Sequence, residues 1–217
     1  MRGIMRAVSV ITILAALFAA QFSFGRMTGS FGKEKLEMFS DIPVSEKIAP
    51  LLLGYKTTYA NYLWIRTMLY FGSHYHGNKD FHELVAMTDI VTKLNPRFYP
   101  AYEFAGLMLP ECTDRYNEAK TIVKRGITVF GSEKIMLPFY IAMIDLNRLH
   151  DTAEAASYMM TAAKNPMAKP YMIKLAATLL SKSNKVNLAK EFLYDSYESA
   201  ENPAVKRAIL DKIKSLN

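Results

Sequence analysis

Cysteine is almost missing from this chain. The single one, Cys112, excludes an intramolecular disulfide and any paired-cysteine metal or haem motif. A lone cysteine among helices is usually a small buried apolar residue, and Cys112 is read that way. Strand-like alternation of apolar and polar residues is also missing, and glycine and proline are modest at 10 and 9 of 217 residues, so the chain reads as helical. No glycine-rich phosphate loop, nucleophile elbow or HExxH is present, and carboxylates such as Glu198 and Glu201 fall on an exposed helix face. No catalytic centre assembles by roles, so the chain is read as a non-enzyme that needs no cofactor. The net charge of +7 lacks the basic stripe with interleaved aromatics that nucleic acid requires, since Lys and Glu are mixed along the body.

What is present begins with a leader. Arg2 and Arg6 precede Ala7 to Phe24, 18 residues without a charge, and Gly25 and Arg26 follow. At ~1.5 Å per residue such a helix is about 27 Å long, close to the hydrocarbon thickness of a bilayer. A cleaved secretory signal has the same order of basic, apolar and small residues, with Ser23 and Gly25 before the cut, but its apolar core is usually only about 7–15 residues long. Residues 1–25 are therefore expected to be a retained membrane anchor, with a cleaved signal and a soluble periplasmic body as the alternative. Arg2 and Arg6 favour a cytoplasmic N-terminus and a periplasmic body, against Arg26, Lys33 and Lys35 on the far side. Residues 26–44 mix Gly, Ser, Lys and Glu without an apolar period and read as a linker. A helical domain is expected over 45–217, opening at Ser45 with Glu46 in the first turn and Pro50 early in it.

That domain repeats. Gly72 and Gly106 lie 34 residues apart in matching company: Met68, Phe71 and Tyr75 around the first, Tyr102, Ala105 and Leu109 around the second. Four phrases end on Leu84, Ala119, Ala155 and Ala189, at intervals of 35, 36 and 34 residues. Ahead of them stand expected close-packing sites at Gly72, Gly106, Met143 and Ala177, each with a large residue a turn earlier: Met68, Tyr102, Phe139 and Ile173. A small residue at a crossing beside a large one is what a tight helix pair requires. The second helices keep a 3.6-residue period, as in Phe81, Leu84, Val85, Thr88, Val91 and Leu94, or in Ala155, Met159 and Ala162. Stops fall at Asn95–Pro96, Gly131, Asn165–Pro166 and Asn202–Pro203. Asp151 with Glu154 has capping-box spacing. A last helix turns Val205, Ala208, Ile209, Ile213 and Leu216 one way and Lys206, Arg207, Asp211, Lys212 and Lys214 to water, as befits the cap of an open stack.

On these residues the chain resembles a tetratricopeptide repeat protein, with about four units over residues 56–201 and a solvating helix to 216. It departs from that pattern at Trp64, four residues early for the tryptophan slot, and at Met143, Ala177 and Leu84, where smaller residues are usual. The run from Leu53, Gly54, Tyr55 and Lys56 through Trp64 to Gly72, with Leu94 to Phe98, is similar to membrane-anchored bacterial repeat proteins of uncharacterised function. The resemblance implies an all-α, right-handed superhelix of helix-turn-helix units. It further implies a concave face, built from the first helix of each unit, that holds partner proteins of the cell envelope.

Asn61, Arg66, Glu103, Tyr140 and Lys174 are the expected partner-binding residues of that face. The reading is a scaffold or assembly factor at the periplasmic side of the inner membrane, in secretion, pilus or cytochrome assembly. The alternative is an accessory subunit of a large membrane complex, with Ala15, Ala16, Ala19 and Ala20 as a helix contact face. From another class comes a metal-binding turn, since His74, His76 and His82 with Asp80 are the densest ligand-type residues, and a site needs at least about three to converge. Histidines on a solvated turn are the plainer reading. Met136, Met143, Met159 and Met160 are read as helical core filler.

Overall fold

Residues 54–216 are described by the structure, a computed structural model. The expected anchor or signal, the linker and the helix start at Ser45 lie outside them. Among the described residues helix accounts for 78% and there is no strand, so the all-α expectation holds. No helix among them is long and apolar enough to cross a membrane.

Among the described residues ten α-helices follow one another: α1 Lys56–Tyr75, α2 Leu84–Leu94, α3 Tyr99–Leu107, α4 Leu109–Cys112, α5 Tyr116–Phe130, α6 Met136–Ile144, α7 Thr152–Ala163, α8 Pro170–Lys182, α9 Val186–Ser199 and α10 Pro203–Lys214. A 3-10 turn, Gly131–Glu133, follows α5, and a π turn, Asp145–Leu149, continues α6. Neighbours in sequence are neighbours in space: α1 packs on α2, α3 on α5, α5 on α6, α6 on α7, α7 on α8, α8 on α9 and α9 on α10. A second set of contacts skips along the chain, joining α3 to α6 and α8 to α10.

Local chemistry explains the boundaries. Asn95 closes α2, and Gly131, at φ +56°, closes α5 in a backbone region that favours glycine. Pro110 has no N–H to offer the carbonyl a turn back, and the break between α3 and α4 falls just ahead of it, at Met108. Asn202 caps α10 through Oδ1, 2.9 Å from the Ala204 N–H, with Pro203 at the first helical position. Asp151 caps α7 by accepting from the Glu154 N–H at 2.9 Å, which is half of a capping box. The other half does not form, because the Glu154 side chain turns away to Lys120 and Lys124.

The phrase-ending residues Leu84, Ala119, Ala155 and Ala189 are all fully buried, so the repeat interval is a packing interval. Phe81, Leu84, Val85, Val91 and Leu94 are buried too, with Thr88 made tolerable by a 2.8 Å bond from its hydroxyl to the Leu84 carbonyl. Ile209 and Ile213 bury the inner face of α10 as expected. Among the described residues the apolar core falls into three parts: the first, with Ala60, Leu63, Val91 and Ala101, joins α1 to α2 and α3, and the other two meet around α6. Of these two, one, with Tyr102, Ala119, Val123, Leu137, Tyr140 and Ile141, belongs to α2–α6; the other, with Ala142, Ala155, Ala156, Met159, Ile173 and Leu193, belongs to α6–α10. Met136, Phe139 and Tyr158 pack against both.

Two expected crossing sites are corrected. A Cβ on Gly72 would meet nothing within 4 Å, so no helix closes on it, and Met143 is only half-buried. The glycines that do sit under a neighbour are Gly106, against Tyr140, and Gly126, against Tyr102 and Leu137. Gly126 fell within an amphipathic run and gave no repeat signal. Gly72→Ala is accordingly expected to stabilise the protein by about 0.5–1 kcal/mol, since mid-helix glycine costs backbone entropy and here there is room for a methyl group. A thermal melt checks it; a lowered melting temperature would place a packing partner on Gly72 after all.

Candidate functional site

The first helices of successive pairs, α1, α3, α6 and α8, are joined side by side through named contacts. Trp64 of α1 meets Phe104 of α3 edge-on with ring centroids 5.6 Å apart, and Phe71 meets the same ring at 5.4 Å. Tyr140 of α6 lies across Gly106 of α3. Phe139 of α6 meets Tyr171 of α8 edge-on at 6.2 Å. Aromatic rings at these separations fix helix spacing beyond their area of burial.

On these four helices the large apolar residues that remain exposed are Ile65, Leu69 and Tyr75 on α1, Leu107 on α3 and Tyr171 on α8. Ile65 is 60% exposed, Leu107 50% and Tyr171 48%. Asn61, Ile65 and Leu69 follow at four-residue intervals, as do Glu103 and Leu107, so each set lies on one helix face. Lys174 is exposed one turn beyond Tyr171. Arg66 is half-buried, one position off the Ile65 row.

Glu103 is half-buried and held from two sides. The Tyr140 hydroxyl donates to Oε1 at a long 3.5 Å, and Tyr99, one turn earlier on α3, lies against the same carboxylate. Burial, then the Glu103 charge, pushes the Tyr140 hydroxyl up to about 12; burial, then a hydrogen bond with Glu103, raises Tyr99 as well. Both phenols therefore stay protonated near neutral pH, and the carboxylate faces donors rather than competing anions. The Lys134 ammonium stands 4.9 Å from the centre of the Tyr99 ring and is paired with Glu133 at 3.2 Å.

Of the five expected partner-binding residues, Asn61 and Lys174 are exposed, and Glu103 and Arg66 are half-buried. Tyr140 is corrected: at 5% exposure its ring is part of the core, and it acts on this face only through the hydroxyl that reaches Glu103. Ile65, Leu69, Leu107 and Tyr171 were missed. Their signal was in the sequence: Leu107 falls four residues after Glu103, and Ile65 and Leu69 follow Asn61 at the same interval.

The histidines go separate ways. His74 is tied through Nδ1 to the Tyr70 carbonyl at 2.8 Å and stacks on the Tyr70 ring, with centroids 4.0 Å apart. His76 is exposed at the end of α1. His82 Nδ1 sits 2.8 Å from Asp80 Oδ1; the bond holds His82 above the ordinary imidazole range and Asp80 below the usual carboxylate range. Among the described residues no three His, Cys, Asp or Glu side chains converge as a metal set.

A shallow cleft of about 590 Å³ brings His82, Cys112, Arg115, Tyr116 and Arg148 together at the ends of α4 and the π turn. Its arginines are engaged, Arg115 by Glu118 and Arg148 by Glu111 at 2.6 Å. Burial pushes the Cys112 thiol up, which opposes thiolate formation. The row of first helices is the better-formed candidate surface. Comparison with known protein families, curated proteins and solved structures returns no match.

Proposed function

We propose that the chain is a non-enzymatic scaffold of the tetratricopeptide type, a right-handed superhelix of about four helix pairs that binds other proteins on the face of its first helices. An N-terminal helix tethers it to the inner membrane, and the helical domain faces the periplasm, where it gathers subunits of an envelope complex. What carries the reading is the row α1–α3–α6–α8 with its exposed Ile65, Leu69, Leu107 and Tyr171. Such side chains gain by being covered, about 25 cal/mol per Å² of apolar surface removed from water. Their setting among Asn61, Glu103 and Lys174 suits an amphipathic segment of a partner, whose apolar side chains meet the four and whose charged flanks meet the polar residues. Tethering raises the effective concentration of partners in the same membrane without any further contact.

The test is crosslinking and affinity capture of the full-length protein from detergent-solubilised membranes, with Leu107→Glu and Tyr171→Glu beside wild type and a leaderless chain as control. Envelope proteins captured by wild type are expected to be lost from both face variants, and reduced without residues 1–25. A capture set that survives both substitutions would remove this face from the account; one that survives loss of the leader would remove the tether.

A further inference from the structure

One ammonium group, where two parts of the core meet around α6, serves two carboxylates. Lys120 of α5 places Nζ 2.5 Å from Asp145 Oδ1, at the start of the π turn, and 2.7 Å from Glu154 Oε2 on α7. Glu154 has a second cation, Lys124 at 3.2 Å, and is partly exposed. Among the described residues Asp145 has no second cation, is fully buried, and its Oδ2 has no hydrogen-bond partner. The flanking residues belong to different parts of the core: Ala119 and Val123 to one, Ala155 and Ala156 to another.

A buried carboxylate with one bare oxygen is costly when ionised, and a proton on that oxygen removes the charge while Oδ1 goes on accepting from Lys120. We propose that Asp145 is a proton-uptake site governing the junction of α5 with α6 and α7: protonated on Oδ2 the junction closes dry, ionised it opens to admit water. Phe139 and Tyr140 of α6 lie on the row of first helices, so the same event stiffens or loosens that face. The inference stands whether or not that face binds a partner.

The charges around Asp145 oppose one another, Lys120 favouring its ionised form and the neighbouring carboxylates disfavouring it. From α5 comes Lys120; from the α7 side come Asp151 and Glu154, both unfavourable to a second anion; α6 itself offers only Tyr140, which faces Glu103. Arg148, in the same turn, is committed to Glu111. Burial, opposed by Lys120, holds the Asp145 carboxyl above its ordinary range. Glu154 is held below its own range by Lys120 and Lys124, and so keeps both lysines while Asp145 titrates. A group whose proton affinity is raised in the closed state contributes to closure below its raised titration and ceases to as pH rises through it. Closure is therefore favoured as pH falls through the Asp145 titration, for as long as Glu154 stays ionised.

Hydrogen exchange of the full-length protein in detergent, at about pH 7.5 and about pH 4.5 with intrinsic rates divided out, reads the opening of this junction. Amides of residues 116–124 and 140–154 are expected to exchange more slowly in wild type at the lower pH, by about threefold or more. Asp145→Asn, neutral at both pH values, is expected to match the slow rate throughout. Corrected wild-type rates that stay level or rise on acidification would overturn the proposal without recourse to any variant. So would an Asp145→Asn protein that exchanges faster than wild type at the higher pH.

Discussion

Lys120→Met lowers the stability of the protein at neutral pH by about 3–5 kcal/mol, because Asp145 must then either take up a proton or stay charged in a fully buried place with no counter-charge. The loss does not measure what the ion pair contributes, since most of it is the stranded partner. The double variant Lys120→Met/Asp145→Leu is therefore expected to recover most of the loss, because an apolar pair of similar volume needs no desolvation of charge. Lys124→Met, which removes a half-exposed cation from the same network, is expected to cost less than about 1 kcal/mol. Urea titration of the three variants checks this, and for a domain of this size each kcal/mol appears as about 2–4 °C in a thermal melt. A Lys120→Met protein within about 1 kcal/mol of wild type would mean that water reaches Asp145 and the network is a surface feature.

The repeat interval was legible because it is set by burial. Leu84, Ala119, Ala155 and Ala189 recur where the second helix of each pair must come close to its neighbours, and all four are buried. The stops at Asn95, Gly131 and Asn202 were legible for a different reason, since each solves a backbone problem that few residues solve. Gly72 misled because a small residue in register looks the same whether a helix closes on it or water does; only the position of the neighbouring helix decides, and the first pair leaves it open. Lys120 and Asp145 were illegible from spacing. They lie 25 residues apart, on a helix and on a π turn that no periodic pattern announced, and each reads as an ordinary surface charge. The row of first helices was half legible: polar candidates such as Asn61 and Lys174 followed from repeat register, while the exposed Ile65, Leu69, Leu107 and Tyr171 were not singled out, because an apolar residue at helical spacing does not show in sequence whether a neighbour covers it.

The fold and the candidate face meet at Gly106, where the second expected result lies. A Cβ placed there would stand 2.6 Å from the Tyr140 Cβ and 2.7 Å from its Cγ, closer than carbon atoms approach. These are the root of the Tyr140 side chain and not its free end, so the ring cannot swing aside; α3 and α6 must move apart. Gly106→Ala is expected to cost about 1–3 kcal/mol, with Gly106→Val at or beyond the upper end, although either substitution in an open helix would favour helix formation or change it little. The displacement also carries the Tyr140 hydroxyl away from Glu103, so partner capture by the row of first helices is expected to weaken even where the chain still folds. Tyr140→Phe separates the two effects. It keeps the ring over Gly106 and removes only the donor to Glu103, and should leave the melting temperature within a few degrees of wild type on a loss of about 1 kcal/mol. If Gly106→Ala melts with wild type, α3 and α6 are not in contact at this point, and the row of helices on which the binding face depends is wrongly placed.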